Sequence, residues 1–446
     1  MRINLPDNAK YIIEKLQNAG YECYAVGGCV RDSLRGVEPN DWDFTTSALP
    51  DEIERVFADH PTVTVGKQYG TIAVILDDAP HEITTYRVDG GYSDTRHPDE
   101  VSFSSSLCDD LARRDFSINA MAYNERDGLV DLYGGRSDMG FGVIRCVGEP
   151  EQRFCEDALR ILRALRFAAM LGYSIEQRTA EAILKQRRLL ADISAERVRD
   201  ELLKLLCGEK VDFILRRYRS VIAVVIPELM GTFDFDQHNK HHNRDVYRHI
   251  VASVRNIEPD PLLRMTMLFH DIGKPLAQTV DKKGEYHYRN HPQIGAAMTR
   301  EILRRLCLPN HFIDEVCTLI RYHDVRFEPD TVQLKQFLKQ LGPEHMKRLY
   351  KIQRADIMAQ SSYMRDEKLR KLGAVYTELL RILESGECYS LRMLGISGAD
   401  LLHLGYRSGK QIGEMLESAL DQVIAGELPN EKAALLAYVT ATFDKA

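Results

Sequence analysis

The sequence predicts an α+β fold, with a small mixed sheet at the front and an all-helical chain behind it. Three observations predict it. Alternating runs rich in β-branched residues are confined to the first third of the chain. Beyond about residue 148 the apolar residues recur at helical spacing instead. The length of 446 residues, 44% of them hydrophobic, allows several domains, each with its own core. The expected division is a head over 1–147, a helical neck over 148–230, a helical body over 231–389 and a helical tail over 390–446.

The elements follow in order. Asp7 to Ala19 reads as a helix, with Asp7 as its cap and Gly20 as its stop. Tyr21 to Val26 alternates as a strand and ends at Gly27-Gly28. Trp42 to Thr45, Thr71 to Leu76 and Glu82 to Tyr86 are the next strands, with a helix over Asp51 to Ala58. Then helical periodicity takes over: Glu156 to Leu171, Ile175 to Arg187, Ser194 to Cys207, Asp245 to Ile257 and Pro261 to His270.

The net charge of −7 excludes a generally basic nucleic-acid coat. Residues 151–220 are the exception, with fifteen Lys and Arg against eleven Asp and Glu. Arg187, Arg188, Arg216 and Arg217 stand in the densest clusters and are the candidate RNA contacts. Nine scattered cysteines with no Cys-x-x-Cys pair point to a reducing compartment. The N-terminus lacks an apolar leader, and no run approaches the about 18 apolar residues of a membrane span. The expectation is a cytoplasmic protein with no membrane partner.

Chemistry first concentrates around Gly27-Gly28-Cys29-Val30-Arg31-Asp32 and Asp41-Trp42-Asp43. Glycines after a strand let the backbone approach a phosphate closely. Asp41 and Asp43, two apart on a strand, project from one face. Carboxylates that close call for a cation, and Mg2+ is the hard, oxygen-seeking choice. Glu82 on a neighbouring strand is the candidate third carboxylate. An isolated Asp-x-Asp is more often a solvated turn; the upstream glycines and Arg31 reverse that preference.

These residues resemble the class II tRNA nucleotidyltransferases and poly(A) polymerases of the polymerase-β-like superfamily, whose head motif is Gly-Gly-x-Val-Arg-Asp followed by Asp-x-Asp. The resemblance implies a polymerase-β-like head in which Asp41 and Asp43 hold Mg2+. It implies that Gly27, Gly28 and Arg31 face a nucleoside triphosphate, CTP or ATP. Arg113-Arg114-Asp115 with Asn119 is similar to the second family motif, which implies triphosphate and ribose contacts. Adjacent guanidinium forks suit phosphate oxygens on physical grounds as well.

Glu156-Asp157-Ala158-Leu159-Arg160 carries the base-reading candidate. On one helix Asp157 and Arg160 would share a face. An acceptor beside a donor matches the pairing edge of cytosine or adenine and rejects guanine and uracil. Taken alone, such a pair is an ordinary ion pair worth about 0.3–0.5 kcal/mol; the resemblance to the family's Glu-Asp-x-x-Arg motif favours base reading. Glu196 to Leu202 resembles the motif that braces that helix. The polar stretch Tyr86 to His97 corresponds to a flexible loop of the CCA-adding relatives, which favours addition of the terminal A.

The helical body carries His249, His270-Asp271, His291, His323-Asp324 and Asp356. Imidazole with carboxylate is a ligand set for divalent transition metals. Phe269-His270-Asp271-Ile272-Gly273-Lys274 resembles the HD phosphohydrolase family. That resemblance implies His249, His270, Asp271 and Asp356 as ligands of Ni, Mn or Zn, with His291 and His323 as auxiliary ligands or phosphate contacts.

Together these residues imply template-independent addition of CCA to the tRNA 3′ end, by a monomer or homodimer, with a metal-dependent phosphohydrolase behind it. A-adding, CC-adding and poly(A)-adding enzymes remain the alternatives within the family. An HD hydrolase with an inactive head, or a noncatalytic RNA-binding module, is the alternative of another class.

Overall fold

A computed structural model describes residues 2–90, 101–238, 244–407 and 409–444. Most of the loop proposed over Tyr86 to His97 lies outside the described residues. The chain divides into two compact units, 1–228 with 305–308, and 229–304 with 309–446. The boundary expected at 147/148 falls inside the first.

The first unit is built on helix α1 (Asp7–Asn18), strand β1 (Cys23–Val26), helix α2 (Gly28–Leu34), strand β2 (Phe44–Thr46), helix α3 (Pro50–Val56) and strands β3 (Thr62–Val63), β4 (Thr71–Leu76) and β5 (Ala79–Thr85). The short pair β6 (Arg87–Asp89) and β7 (Val101–Phe103) follows, antiparallel. Helix α4 (Leu107–Ala112), strands β8 (Met121–Asn124) and β9 (Gly128–Asp131) and helix α5 (Gly135–Phe141) complete the head. Seven of its strands form one sheet in the order β3-β4-β5-β2-β1-β8-β9.

The two sheet faces separate residues by parity. Cys23, Ala25, Phe44, Val74 and Ile83 pack with α1 and α3 in one core. Tyr24, Val26 and Ala122 turn to the other face, toward Leu111 of α4. β2 and β5 are parallel, with Phe44 opposite Ile83. Asp43 and Glu82, each one residue earlier, therefore point together to the α4 face.

Helices α6 (Pro150–Glu156), α7 (Leu159–Leu171), α8 (Gln177–Gln186), α9 (Ala195–Leu206), α10 (Val211–Arg217) and α11 (Arg219–Val225) continue this unit. The single helix expected over Glu156 to Leu171 is broken: Asp157 takes φ −144° and ψ 101° between α6 and α7. Its side chain accepts from the Leu159 amide at 3.0 Å, so Asp157 starts α7 instead of riding on it. The first helix begins one residue earlier than expected, with Pro6 in place of Asp7 as its cap, and β1 begins two residues later, at Cys23.

The second unit is helical: α12 (Val246–Asn256), α13 (Pro261–Phe269), α14 (Lys274–Ala277), α15 (His291–Arg305), α16 (Asn310–Tyr322), α17 (Thr331–Ala359), α18 (Arg365–Ser385), α19 (Gly398–His403), α20 (Lys410–Ala425) and α21 (Lys432–Thr442). Asp245, Asp260 and Asp330 cap α12, α13 and α17 through their side chains. The segment from Cys388 to Val439 forms a core of its own around Leu401, Met415, Leu420 and Leu435. No helix among the described residues is long and apolar enough to cross a membrane.

Candidate functional site

In the head, Asp41 and Asp43 were expected on a strand; instead they occupy the extended segment entering β2. The pairing nonetheless reaches Asp43, whose carbonyl accepts from the Val26 amide at 2.9 Å. That bond seats the acidic segment beside Gly27. Crowding by protein atoms, then the charges of Asp41 and Glu82, push the Asp43 carboxyl up to about 6, while Arg114 offsets part. Asp43 keeps solvent contact, with Asp41 and Glu82 as its charged neighbours. The three acidic groups and Arg114 thus share one field. All three side chains offer only hard oxygen donors, and their mutual repulsion is the kind a divalent cation removes.

The arginines lie at the end of α4. Asp110, fully buried, takes both Nε and Nη2 of Arg113 on Oδ1, at 2.9 and 2.6 Å. Its Oδ2 accepts from Arg114 Nη2 at 3.2 Å and from Thr45 Oγ1 at 3.0 Å. Burial opposes the charge, yet Arg114 and Arg113 hold Asp110 below its usual range. A Cβ on Gly27 would come within 3.1 Å of Arg114 Nη1, and the residue has φ +80°. The positive φ favours glycine there, and a side chain would also displace the Arg114 guanidinium.

Arg31 is fixed by the forked carboxylate of Asp32 at 3.0 and 2.7 Å and by Asn119 Oδ1 at 2.7 Å. Asn119 Nδ2 donates in turn to Asp115 at 3.1 Å. Asp115 is buried against Arg163, which donates at 2.8 and 2.6 Å. Burial would raise this carboxyl, but Arg163 and Asn119 bring it down to about 2. Arg31, Asp115, Asn119, Arg113 and Arg114 are therefore pre-positioned. Asp115, however, is spent on holding neighbours.

Asp157 and Arg160 do not share a helical face. Arg160 donates to Glu156 at 2.8 Å and to the Arg113 carbonyl at 3.0 Å. Asp157 Oδ2 accepts from Arg197 of α9 at 2.8 Å. Arg166 of α7 meets Glu201 of α9 at 2.5 Å, so α9 braces this segment twice. Among the basic candidates, Arg188, Arg216 and Arg217 are exposed. Arg216 is drawn to Asp212 at 2.9 Å and Arg187 to the Leu184 carbonyl.

The second unit gathers its own cluster. His249 on α12, His270 and Asp271 after α13, and Asp356 on α17 converge. His249 Nε2 lies 2.8 Å from Asp356 Oδ1, 3.4 Å from Asp271 Oδ2 and 3.3 Å from His270 Nε2. Asp271 is fully buried; burial opposes its charge, but Lys274 and His270 keep it well below the usual carboxylate range. The Lys274 ammonium sits 2.7 Å from Asp271 Oδ2 and 2.8 Å from Gln237 Oε1.

Three structurally important partners escaped sequence reasoning. Asp110 had a signal, standing three and four residues before Arg113 and Arg114. Lys274 stands three after Asp271. Arg163 had none, since its partner Asp115 lies 48 residues away.

A mixed sheet that sets carboxylates against braced guanidinium forks beside a glycine turn defines a nucleotidyltransferase. Residues 23–145 match the Poly A polymerase head domain, 172–230 the family described as Probable RNA and SrmB- binding site of polymerase A, and 292–439 the putative tRNA nucleotidyltransferase domain 2. The CCA-adding enzyme of Bacillus velezensis is 33% identical over 422 residues, covering 94% of each chain. That of Levilactobacillus brevis is 32% identical over 435 residues, 97% of each. The crystal structure of the Bacillus stearothermophilus CCA-adding enzyme in complex with CTP aligns with a TM-score of 0.71 and 29% identity, over 97% of this chain and 96% of that one. The present chain belongs to the CCA-adding enzyme family and is a tRNA nucleotidyltransferase.

Proposed function

We propose that this chain builds or repairs the CCA end of tRNA in the head cleft, with Mg2+ held by Asp41, Asp43 and Glu82. The shared field of those three carboxylates and Arg114 is the observation that carries the proposal. Bound Mg2+ would polarise the α-phosphate and favour ionisation of the attacking 3′ hydroxyl. Arg113 and Arg114, braced by Asp110, take the triphosphate oxygens. Gly27 and Gly28 let those oxygens come close, and Arg31 with Asn119 orients the sugar side. Pyrophosphate leaves along the arginine wall.

Asp157 and Arg160 read the base. Asp157 keeps lone pairs beside its bond to Arg197, and Arg160 keeps further N–H groups beside its bond to Glu156. In this scheme 1–147 is the catalytic head, 148–230 the base-reading and RNA-binding neck, 231–389 the body and 390–446 the tail. Arg187, Arg188, Arg216 and Arg217 meet the tRNA backbone, with Arg188, Arg216 and Arg217 exposed for it. The enzyme works in the cytoplasm as a monomer or homodimer.

The test is extension of tRNA lacking three, two or one of its terminal nucleotides, with CTP or ATP alone and together. C, C and A should be added in turn and synthesis should then stop. Partial addition would identify an A-adding or CC-adding enzyme, and a long tail a poly(A)-adding one. Asp41→Ala should abolish extension while the circular dichroism spectrum is unchanged.

A second activity is favoured by the convergence of His249, His270, Asp271 and Asp356. Nitrogen and carboxylate donors at this spacing suit Ni2+, Mn2+ or Zn2+. The body then acts as a metal-dependent phosphohydrolase. Phosphate release from a 2′,3′-cyclic nucleotide, lost in His270→Ala, is the check.

A further inference from the structure

Helix α7 turns one face to the nucleotide site. Arg160, Arg163 and Phe167 stand at i, i+3 and i+7, a single helical stripe. Each meets a different part of the site. Arg160 Nη2 donates to the Arg113 carbonyl at 3.0 Å. Arg163 donates through Nε and Nη2 to Asp115 Oδ2, at 2.8 and 2.6 Å. The Phe167 ring lies edge-on to Phe116, with centroids 5.9 Å apart, and its centre is 5.1 Å from the Arg31 guanidinium carbon. Helix α9 backs the stripe: Glu201 holds Arg166 at 2.5 Å and Arg163 at 3.7 Å, and the Arg166 guanidinium sits 3.9 Å over the Phe167 ring.

Asp115 passes this fixation on. Its Oδ1 accepts from the Phe116 amide at 2.8 Å and from Asn119 Nδ2 at 3.1 Å. Asn119 Oδ1 is thereby turned to Arg31 Nη1, at 2.7 Å. The opposite amide orientation would set a donor against the guanidinium and an acceptor against the carboxylate. The carboxylate that Arg163 anchors therefore decides which end of the amide meets Arg31. The Asp32 fork lies within α2, the helix of Arg31 itself. The Asn119 bond and the cation–π contact with Phe167 tie Arg31 to other elements. Asp115, Asn119 and Phe167 are all buried, and a satisfied buried network of this kind is stiff.

We propose that Arg163 and Phe167 are positioning residues for the incoming nucleotide: from α7 they set the Asn119 amide and the Arg31 guanidinium against its sugar. This rests on the reading of the head in the preceding section, where Arg31 and Asn119 orient the sugar side, and extends it to two residues that touch no substrate. Asp157 and Arg160, at the start of the same helix, read the base. One rigid helix then holds the base reader and the sugar clamp at a fixed separation, so a nucleotide seated correctly at one is in register with the other.

The test is single-nucleotide extension of tRNA lacking CCA, with CTP and with 2′-deoxy-CTP in parallel on the same preparation of the full chain. The quantity read is the ratio of the two kcat/KM values. A misfolded fraction lowers both values equally and leaves the ratio unchanged. Arg163→Gln and Phe167→Leu should each lower the preference for CTP about tenfold, because the ribose nucleotide loses the oriented contacts. Arg163→Lys, which keeps a cationic donor for Asp115, should stay within about threefold of wild type. In an Asn119→Ala background Arg163→Gln should change the ratio no further, since the relay is already cut. A ratio that neither Arg163→Gln nor Phe167→Leu moves would overturn the proposal and leave both residues as packing. Full additivity of Arg163→Gln with Asn119→Ala would overturn the relay through Asp115. No extension by the wild-type chain with CTP would instead overturn the reading of the head.

Discussion

Asp110→Asn should loosen the triphosphate wall and destabilise the first unit together. The carboxylate is fully buried and receives three guanidinium hydrogen bonds and one hydroxyl bond. An amide there keeps the shape but turns an N–H toward one guanidinium and leaves two positive charges unmatched. Removing one partner of a buried ion pair costs about 3–5 kcal/mol. Arg113 and Arg114 retain 17% and 19% of their exposure, so the lower end applies. About 3 kcal/mol lowers the melting temperature of a unit this size by roughly 6–12 °C. The two forks lose their common anchor, so KM for CTP should rise about tenfold, equivalent to about 1.4 kcal/mol, with a smaller fall in kcat. The folded Asp110 carboxyl lies below 3.8. Its stabilisation is therefore complete above that value and is lost as pH falls further. The gap in melting temperature between wild type and variant should stay level from pH 8 to 5. Calorimetry and steady-state kinetics on the same preparations decide the matter. A melting temperature within 1 °C of wild type, with KM unchanged, would refute the brace.

Metal binding in the head should weaken with acid, because the Asp43 carboxyl sits near 6 and must lose its proton to bind. Below that pH the apparent Mg2+ affinity should drop by up to about tenfold per unit. Glu82→Gln should move the onset to lower pH, read from Mg2+ titrations of activity; an unmoved onset removes Glu82 from the shared field. Gly135→Ala should destabilise the head by about 2–3 kcal/mol, since its Cβ would stand 2.2 Å from the Ser117 carbonyl oxygen; urea unfolding measures it, and a midpoint shift under 0.2 M would contradict the close approach. Arg197→Ala should free Asp157 and raise incorporation of the wrong nucleotide, with kcat/KM for CTP and ATP down about tenfold; unchanged selectivity in single-nucleotide extension would make Arg197 merely structural.

Sequence reasoning worked where the relevant forces are local. The strand Thr71–Leu76 and the second half of Ala79–Thr85, expected over Glu82 to Tyr86, were legible because alternation and β-branching are local properties of a half-buried sheet. Helix α9 was legible because its apolar stripe and Ser194 both mark it. The break at Asp157 was not. Periodicity runs unchanged across it, and the carboxylate leaves the helix to cap α7 and meet Arg197 of α9, forty residues on. Asp41 and Asp43 were placed in a strand, and they lie in the extended segment before it. Whether β2 begins at residue 42 or 44 depends on which hydrogen bonds β1 and β5 offer.

Residue order alone determined which chemical groups exist at short spacing: the glycine turn before Arg31, the Asp41/Asp43 pair, the adjacent guanidinium forks and His270-Asp271. Those are set by covalent neighbourhood and by local periodicity, both of which survive in a string of letters. Only the tertiary structure decided which groups face one another. Parallel pairing of β2 with β5 brought Glu82 beside Asp43, and α7 carried Arg163 to Asp115. In the second unit, α15 and α16 set His291 and His323 against the far oxygen of Asp271. Charge and lone-pair direction act through space over a few ångströms, and packing alone makes residues distant along the chain into neighbours at that range.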